Sequence, residues 1–157
     1  MGTIFTKKNW KMTTENELYE NPWIYEGAAV LEAPEDFYGF VYIITNNKTA
    51  RKYIGKKFFY SKVSKPPLKG KTRRRRSVKE SDWKTYYGSN KELEADVSAE
   101  GAENFTREIV KLCASKGECA YWEAKLQFEH NVLLEDTWYN EWIMVKTHRK
   151  HIRGLAT

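Results

Sequence analysis

The sequence predicts a single α+β domain in which a small three-stranded sheet carries helices. Three observations predict it. Two β-rich runs, Phe40 to Thr45 and Lys52 to Gly55, flank Asn46-Asn47-Lys48-Thr49, a hairpin signal. A third run, Phe105 to Leu112, alternates Phe105, Arg107 and Ile109 on one face. Ser115-Lys116-Gly117-Glu118 then forms a capping box for a helix whose apolar arc holds Cys119, Trp122, Leu126 and Leu133. At 157 residues the chain is one domain by length, able to build a core without disulfides or metal staples.

In chain order, residues 1–36 are polar and acidic with scattered aromatics at Trp10, Tyr19, Trp23 and Tyr25. Thr14-Glu15-Asn16-Glu17 fits a capping box and can start a short helix, while Pro22 and Pro34 punctuate the rest. The segment reads as an N-terminal arm laid over a main domain at 37–145. In the hairpin, a four-residue loop pairs Thr45 with Ala50, and antiparallel counting then sets Tyr42 opposite Tyr53 on one face. Residues 56–80 contain Pro66-Pro67, Gly70 and Arg73-Arg74-Arg75-Arg76 and read as a long basic loop inserted in the domain. Ser81 to Gly88 is anchored by Trp83, Tyr86 and Tyr87. Ser89-Asn90-Lys91-Glu92 is a further capping box, for a helix that Gly101 ends. After the late helix an apolar stretch (Trp142 to Val145) leads into a basic tail at 146–157.

Charge is distributed unevenly. Residues 48 to 84 hold fifteen Lys or Arg against two acids, Glu80 and Asp82, a local excess of thirteen in a chain whose net charge is +6. Residues 1 to 47 carry three basic against seven acidic side chains, and residues 85 to 157 nine against twelve. One segment therefore holds all the excess positive charge, the footprint of a polyanion partner, because each neutralised phosphate releases a condensed counterion. A merely solvated basic loop is the alternative. No apolar run approaches the roughly 18 residues of a membrane span, and MGTIFTKKNWKM lacks the apolar core of a signal peptide. The expectation is an intracellular protein, not secreted and with no membrane partner. Cys113 and Cys119 lack His or Cys neighbours at zinc-ligand spacing and read as reduced core thiols.

Several residues can carry chemistry. Glu123 falls inside the apolar arc of the late helix, where an isolated charge is too costly, so it is paired, protonated or bound to a metal. A helix-rim glutamate, or a buried ion pair with an arginine such as Arg107, is the plain structural reading. His130 lies in the same arc and reads as a hydrogen-bonded structural histidine. Tyr42 and Tyr53 can be an ordinary cross-strand aromatic pair. Two phenols, one inward carboxylate and a wall of cations also suit attack of water on a phosphodiester. A phenol titrates near pH 10, so a tyrosine base needs cationic neighbours, for which Lys52, Lys56 and Lys57 are candidates.

Phe40-Val41-Tyr42, ten intervening residues and Tyr53-Ile54-Gly55 resemble the two-part signature of the GIY-YIG nucleases. The FTREIVKL strand, the helix bearing Glu123 and the pair Tyr139-Asn140 follow in that family's order, so the resemblance covers residues 39 to 143. It is nearest to the Seg-like and homing endonucleases of bacteriophages, through the phrases VYIITN, YIGKK and SDWKTYYGS. The resemblance implies a DNA endonuclease with a small antiparallel sheet flanked by helices, acting in the host cytoplasm if phage-encoded. Tyr42 then acts as or near the general base, and Tyr53 positions water and phosphate. Gly55 permits close packing, with Gly39 as the glycine of the first motif, where Phe40 stands in the family's usual glycine position. Glu123 holds Mg²⁺ or Mn²⁺. The family's arginine beyond the second motif has no counterpart at Lys62 or Lys65; Arg76 is the candidate, with Lys84 or Arg107 as substitutes. Lys56, Lys57, Lys69, Lys71, Arg73, Arg74 and Arg75 are expected to bind nucleic acid. The partner is double-stranded DNA, bound by a monomer or a transient dimer. The alternative is a catalytically inactive module on the same fold, or an RNA-directed one with bases stacking on Phe58, Phe59 and Tyr60.

Overall fold

The computed structural model describes residues 21–155. A five-stranded mixed sheet forms the body, with strands in the order β2-β1-β7-β3-β4. Its strands are β1 (Trp23–Tyr25), β2 (Ala28–Val30), β3 (Gly39–Asn46), β4 (Lys52–Phe58) and β7 (Phe105–Cys113). Between β4 and β7 come a separate two-stranded hairpin, β5 (Tyr60–Lys65) and β6 (Arg75–Glu80), and the helix α1 (Lys91–Glu100). Helix α2 (Lys116–Glu129) follows β7.

The three expected strands are present, and two more join them. Part of the segment read as an arm forms β1 and β2, and β1 runs parallel to β7. Trp23 explains why: its side chain is buried and its Nε1 donates to the Trp83 carbonyl at 2.6 Å. The capping box at residues 14–17 lies outside the described residues. The segment read as a long basic loop is largely a β-hairpin, paired from Tyr60↔Glu80 to Lys65↔Arg75. Long runs of Lys and Arg obscured its β pattern, since both faces are polar.

The β3–β4 turn closes later than loop counting suggests. Asn46 stays in the strand, its N–H donating to the Arg51 carbonyl at 2.8 Å, while its side-chain oxygen accepts from the amides of Lys48 (3.0 Å) and Thr49 (3.4 Å). Ala50 takes a positive φ of 64° to complete the turn. The register therefore moves by two residues, setting Tyr42 opposite Gly55 and Tyr53 opposite Ile44. Because the shift is even, the two phenols remain on one face, now as diagonal neighbours.

The two faces of the sheet bury separate cores. On one, Phe40, Tyr42 and Ile44 of β3 and Phe105 and Ile109 of β7 meet Trp23, Phe59 and Trp83. On the other, Val41, Ile54 and Cys113 meet Cys119 of α2, and both cysteines are free and buried there. Helix α2 is capped by Ser115, which accepts from the Glu118 amide, and it ends at Glu129. Leu133, expected on its apolar arc, lies beyond its end and is exposed. His130 is the exposed C-cap rather than a core histidine. The other helix starts one residue later than its capping box suggested, with Asn90 rather than Ser89 accepting from Leu93. Among the described residues no helix is long and apolar enough to cross a membrane.

Strand β4 lies at the edge of the sheet, where unpaired backbone groups would template another chain. Residues 139 and 140 seal its first half. The Tyr139 amide donates to the Lys52 carbonyl at 2.8 Å, and the Asn140 side chain both accepts from Ile54 N–H (3.0 Å) and donates to Ile54 C=O (2.8 Å). The seal stops there, at the residue before Gly55.

Candidate active site

Past that seal, a cleft of about 250 Å³ opens along β4. Tyr42, Tyr53, Lys56, Lys57 and Glu123 line it, and Tyr60, Ser61, Ser81 and Ser89 form its rim. Residues from β3, β4, α2 and the base of the hairpin thus meet in one place.

Tyr42 reaches the cleft from inside the sheet. It is 1% exposed and sits among aromatic rings, with centroids 5.0 Å from Trp23, 6.2 Å from Tyr53 and 6.1 Å from Tyr86. Its phenol lies across Gly55, the residue opposite it. A Cβ at Gly55 would stand 2.4 Å from Tyr42 Oη, so only glycine leaves room for the phenol there. Gly39 serves a parallel purpose, since a Cβ there would lie 2.7 Å from the Lys57 carbonyl oxygen. Burial first, then the Tyr86 and Tyr53 phenols, hold Tyr42 well above the ordinary phenol range. This corrects the expectation of a phenol made acidic by lysines. The lysines have other partners: Lys57 Nζ is 2.6 Å from Asp82 Oδ1 and 3.9 Å from the Tyr86 ring centroid, and Lys52 is exposed at the start of β4. Tyr53 is half-buried, with its Oη 3.3 Å from Ser89 Oγ; burial also raises it, with the Ser89 contact opposing.

Glu123 comes from the buried side of α2 and is 8% exposed. Its partner is Lys56, whose Nζ donates to Oε1 at 2.7 Å, rather than Arg107. Desolvation raises the carboxyl above its usual range, and the Lys56 ammonium acts against that rise. Among the described residues no three His, Cys, Asp or Glu side chains cluster into a cage for a metal. One carboxylate beside a cleft open to water and phosphate is nevertheless the donor set that Mg²⁺ commonly uses, completed by substrate oxygens. The Lys56 ammonium already lodges a positive charge against Glu123, so the residues present fit a cation there.

The other cations named from the sequence lie elsewhere. Arg107 is buried, donates to the Tyr86 carbonyl at 2.9 Å and to the Asn21 carbonyl, and sits 4.2 Å from the Tyr87 ring centroid. Burial lowers its pKa to about 10, and its contacts make it a bracket between the chain at Asn21 and the 86–87 segment. Lys84 pairs with Glu32 at 3.4 Å and does not line the cleft. Arg75 and Arg76 lie on β6, while Lys69, Lys71, Arg73 and Arg74 occupy the connection at the hairpin's far end. Among the described residues no arginine lines the cleft; its cations are Lys56 and Lys57. The sequence marked Tyr86 as an anchor and Ser89 as a helix cap, but assigned neither them nor Ser81 a place at the site. The aromatic phrase SDWKTYYGS holds all three and is the signal that could have found them.

A family model described as "Putative endonuclease segE, GIY-YIG domain" matches residues 23–143, from the start of β1 to just beyond the Asn140 seal. Among curated proteins and among solved structures, nothing matches the chain.

Proposed function

From a chain that belongs to the SegE-type GIY-YIG endonuclease family, we infer a metal-dependent endonuclease that hydrolyses phosphodiester bonds of double-stranded DNA. The observation that carries this reading is the convergence of the Tyr42 phenol, laid over Gly55, with Glu123 and two lysines in one cleft. The Seg-like resemblance supports a phage-type role in homing or DNA degradation.

The scissile phosphate enters along the open part of β4. Lys57, and Lys56 once it leaves the carboxylate, neutralise the phosphate oxygens, the task an arginine has in the family pattern. Glu123 would hold Mg²⁺ or Mn²⁺, which when bound supplies Lewis-acid stabilisation of the charge that grows on the phosphate and the departing oxygen. Tyr53, half-buried beside Ser89, orients water and phosphate. Burial keeps Tyr42 protonated at rest, so it acts as a relay rather than as a standing phenolate. Tyr42 Oη accepts the proton of the attacking water while its own O–H passes a proton to a non-bridging phosphate oxygen. The water oxygen bonds to phosphorus as the phosphorus–oxygen bond to the sugar breaks, and the departing alkoxide takes its proton from the hydroxyl newly formed on the phosphate. Cutting both strands through one cleft takes two binding events or a transient dimer.

Two experiments follow. Supercoiled plasmid incubated with the wild type and Mg²⁺ is expected to give nicked or linear product, with EDTA abolishing it. Plasmid left intact under both Mg²⁺ and Mn²⁺ would favour a binding module on the same fold. The second uses Gly55→Ala, which drives a methyl group into the Tyr42 phenol. Overpacking of this kind costs about 1–3 kcal/mol of stability, and the expected loss of cleavage exceeds that of folded protein at the assay temperature. Normal cleavage by this variant would show that the phenol need not lie over residue 55.

A further inference from the structure

The β5–β6 hairpin leaves the body of the protein as a free-standing ribbon. Its strands pair only with each other, and residues 62, 64, 65, 75, 76, 78 and 79 on its two strands are exposed. Residues 60–79 carry nine Lys or Arg and no acid. Among the described residues none of the nine takes part in an ion pair, the paired lysines and arginines all lying elsewhere. Lys65 stands directly opposite Arg75, a like-charge cross-strand pair that works against the hairpin's own stability. The ribbon's one acid, Glu80 at its root, is engaged by Trp83 and Lys84 rather than by any of the nine, so their charge is built for an external polyanion.

Its base is held rigidly against the cleft. Phe59 and Trp83, at the two ends of the hairpin, are fully buried and meet edge to face at 5.0 Å. The Ser81 hydroxyl donates to the Phe58 carbonyl at 2.6 Å and the Ser81 amide to the Phe59 carbonyl at 2.8 Å. Tyr60, Ser61 and Ser81 belong both to the hairpin's root and to the cleft rim.

Resting on the endonuclease reading above, we propose that β5–β6 lies in the major groove of duplex DNA beside the scissile phosphate and sets which base pairs the enzyme engages. The major groove, about 12 Å wide, admits a two-stranded ribbon in undeformed duplex, whereas the minor groove at about 6 Å takes one only when the DNA is bent and widened. Six residues per strand at about 3.3 Å each reach about 20 Å, and at about 3.4 Å per base pair that is roughly six base pairs to one side of the cut. Arg73 to Arg76 and the lysines grip the phosphates, while the exposed Val78 (62%) and Leu68 (55%) are apolar groups that thymine methyls can cover. Tyr60, at the root on the cleft rim, is the ribbon's one aromatic residue. Residues 61–79 contain no Phe, Tyr or Trp, so the projecting part offers no aromatic platform for stacking unpaired bases. A-form RNA has a deep, narrow major groove that would exclude it. Duplex DNA is therefore the polyanion that fits.

The test measures binding alone, with full-length Glu123→Gln so that no cleavage intervenes, on a fluorescent 24-base-pair duplex over a salt series. The comparison protein adds Arg73→Ser, Arg74→Ser, Arg75→Ser and Arg76→Ser, all exposed and remote from the buried cores, with melting temperature as the check on folding. If all four arginines meet phosphates, the affinity lost between 50 and 200 mM salt is roughly a hundred-fold greater for the parent than for the quadruple variant. Methyl green, a major-groove ligand, should displace the parent and netropsin, a minor-groove ligand, should not. Equal salt slopes, displacement by netropsin alone, or equal affinity for single-stranded DNA or duplex RNA would each overturn the proposal. Because no readout uses cleavage, an inactive wild type would refute the catalytic reading and leave the ribbon's result interpretable.

Discussion

Glu123→Gln is expected to cut plasmid cleavage by about a thousand-fold or more while leaving duplex affinity within about twofold. The substitution keeps the volume of a side chain that is only 8% exposed, and the amide oxygen can still accept from Lys56 Nζ. What it removes is the negative charge that makes this corner of the cleft a cation site. Lewis-acid stabilisation at a phosphate supplies several kcal/mol of the barrier reduction, and about 1.4 kcal/mol is tenfold in rate, which sets the scale. Affinity should change little, because the carboxylate does not itself attract DNA. The measurement is single-turnover cleavage of supercoiled plasmid alongside polarisation binding, with thermal melting to show that the variant folds. Cleavage at the wild-type rate would remove Glu123 from the site. Cleavage and binding lost together would mean that the Lys56–Glu123 pair is a structural support.

Tyr42→Phe is the second large effect, an expected loss of about 10²- to 10⁴-fold in rate, the range for removing a positioned proton-transfer group. The ring contacts with Trp23, Tyr53 and Tyr86 survive the change, so melting temperature should move little. The comparison that isolates the hydroxyl is Tyr53→Phe. Its phenol meets Ser89 at the half-exposed rim, and the smaller loss is expected there. Equal activity for Tyr42→Phe and wild type would leave the buried phenol as packing, and the proton path would have to be sought at another oxygen.

Much of the fold is legible in the residues. Strands β3, β4 and β7 carry β-branched and aromatic runs, and α2 opens on a Ser-x-x-Glu pattern of which the structure keeps the Ser115 cap, while Glu118 accepts from the amide of Ala114, one residue before the cap, at 3.2 Å. The strands β1 and β2 escape notice because three residues hold too little periodicity to mark a strand, and the pairing of β1 with β7 is anchored by Trp23 meeting Trp83 sixty residues away. The β5–β6 hairpin escapes for another reason. A ribbon exposed on both faces has no apolar side to alternate, so its pattern resembles a loop.

The candidate site divides along the same physical line. Residue chemistry alone determined that this chain pairs two tyrosines with an inward glutamate and a strongly cationic segment, because phenols, carboxylates and ammonium groups keep their identities whatever the register. Tertiary structure decided which of them meet. A two-residue shift at Asn46 set Tyr42 over Gly55, the docking of α2 on β4 gave Glu123 a lysine instead of Arg107, and burial among aromatic rings raised the phenol that neighbouring lysines were expected to lower. These outcomes depend on distances between segments far apart in the chain and on the local dielectric. Both are products of packing, and neither leaves a local mark in the order of residues.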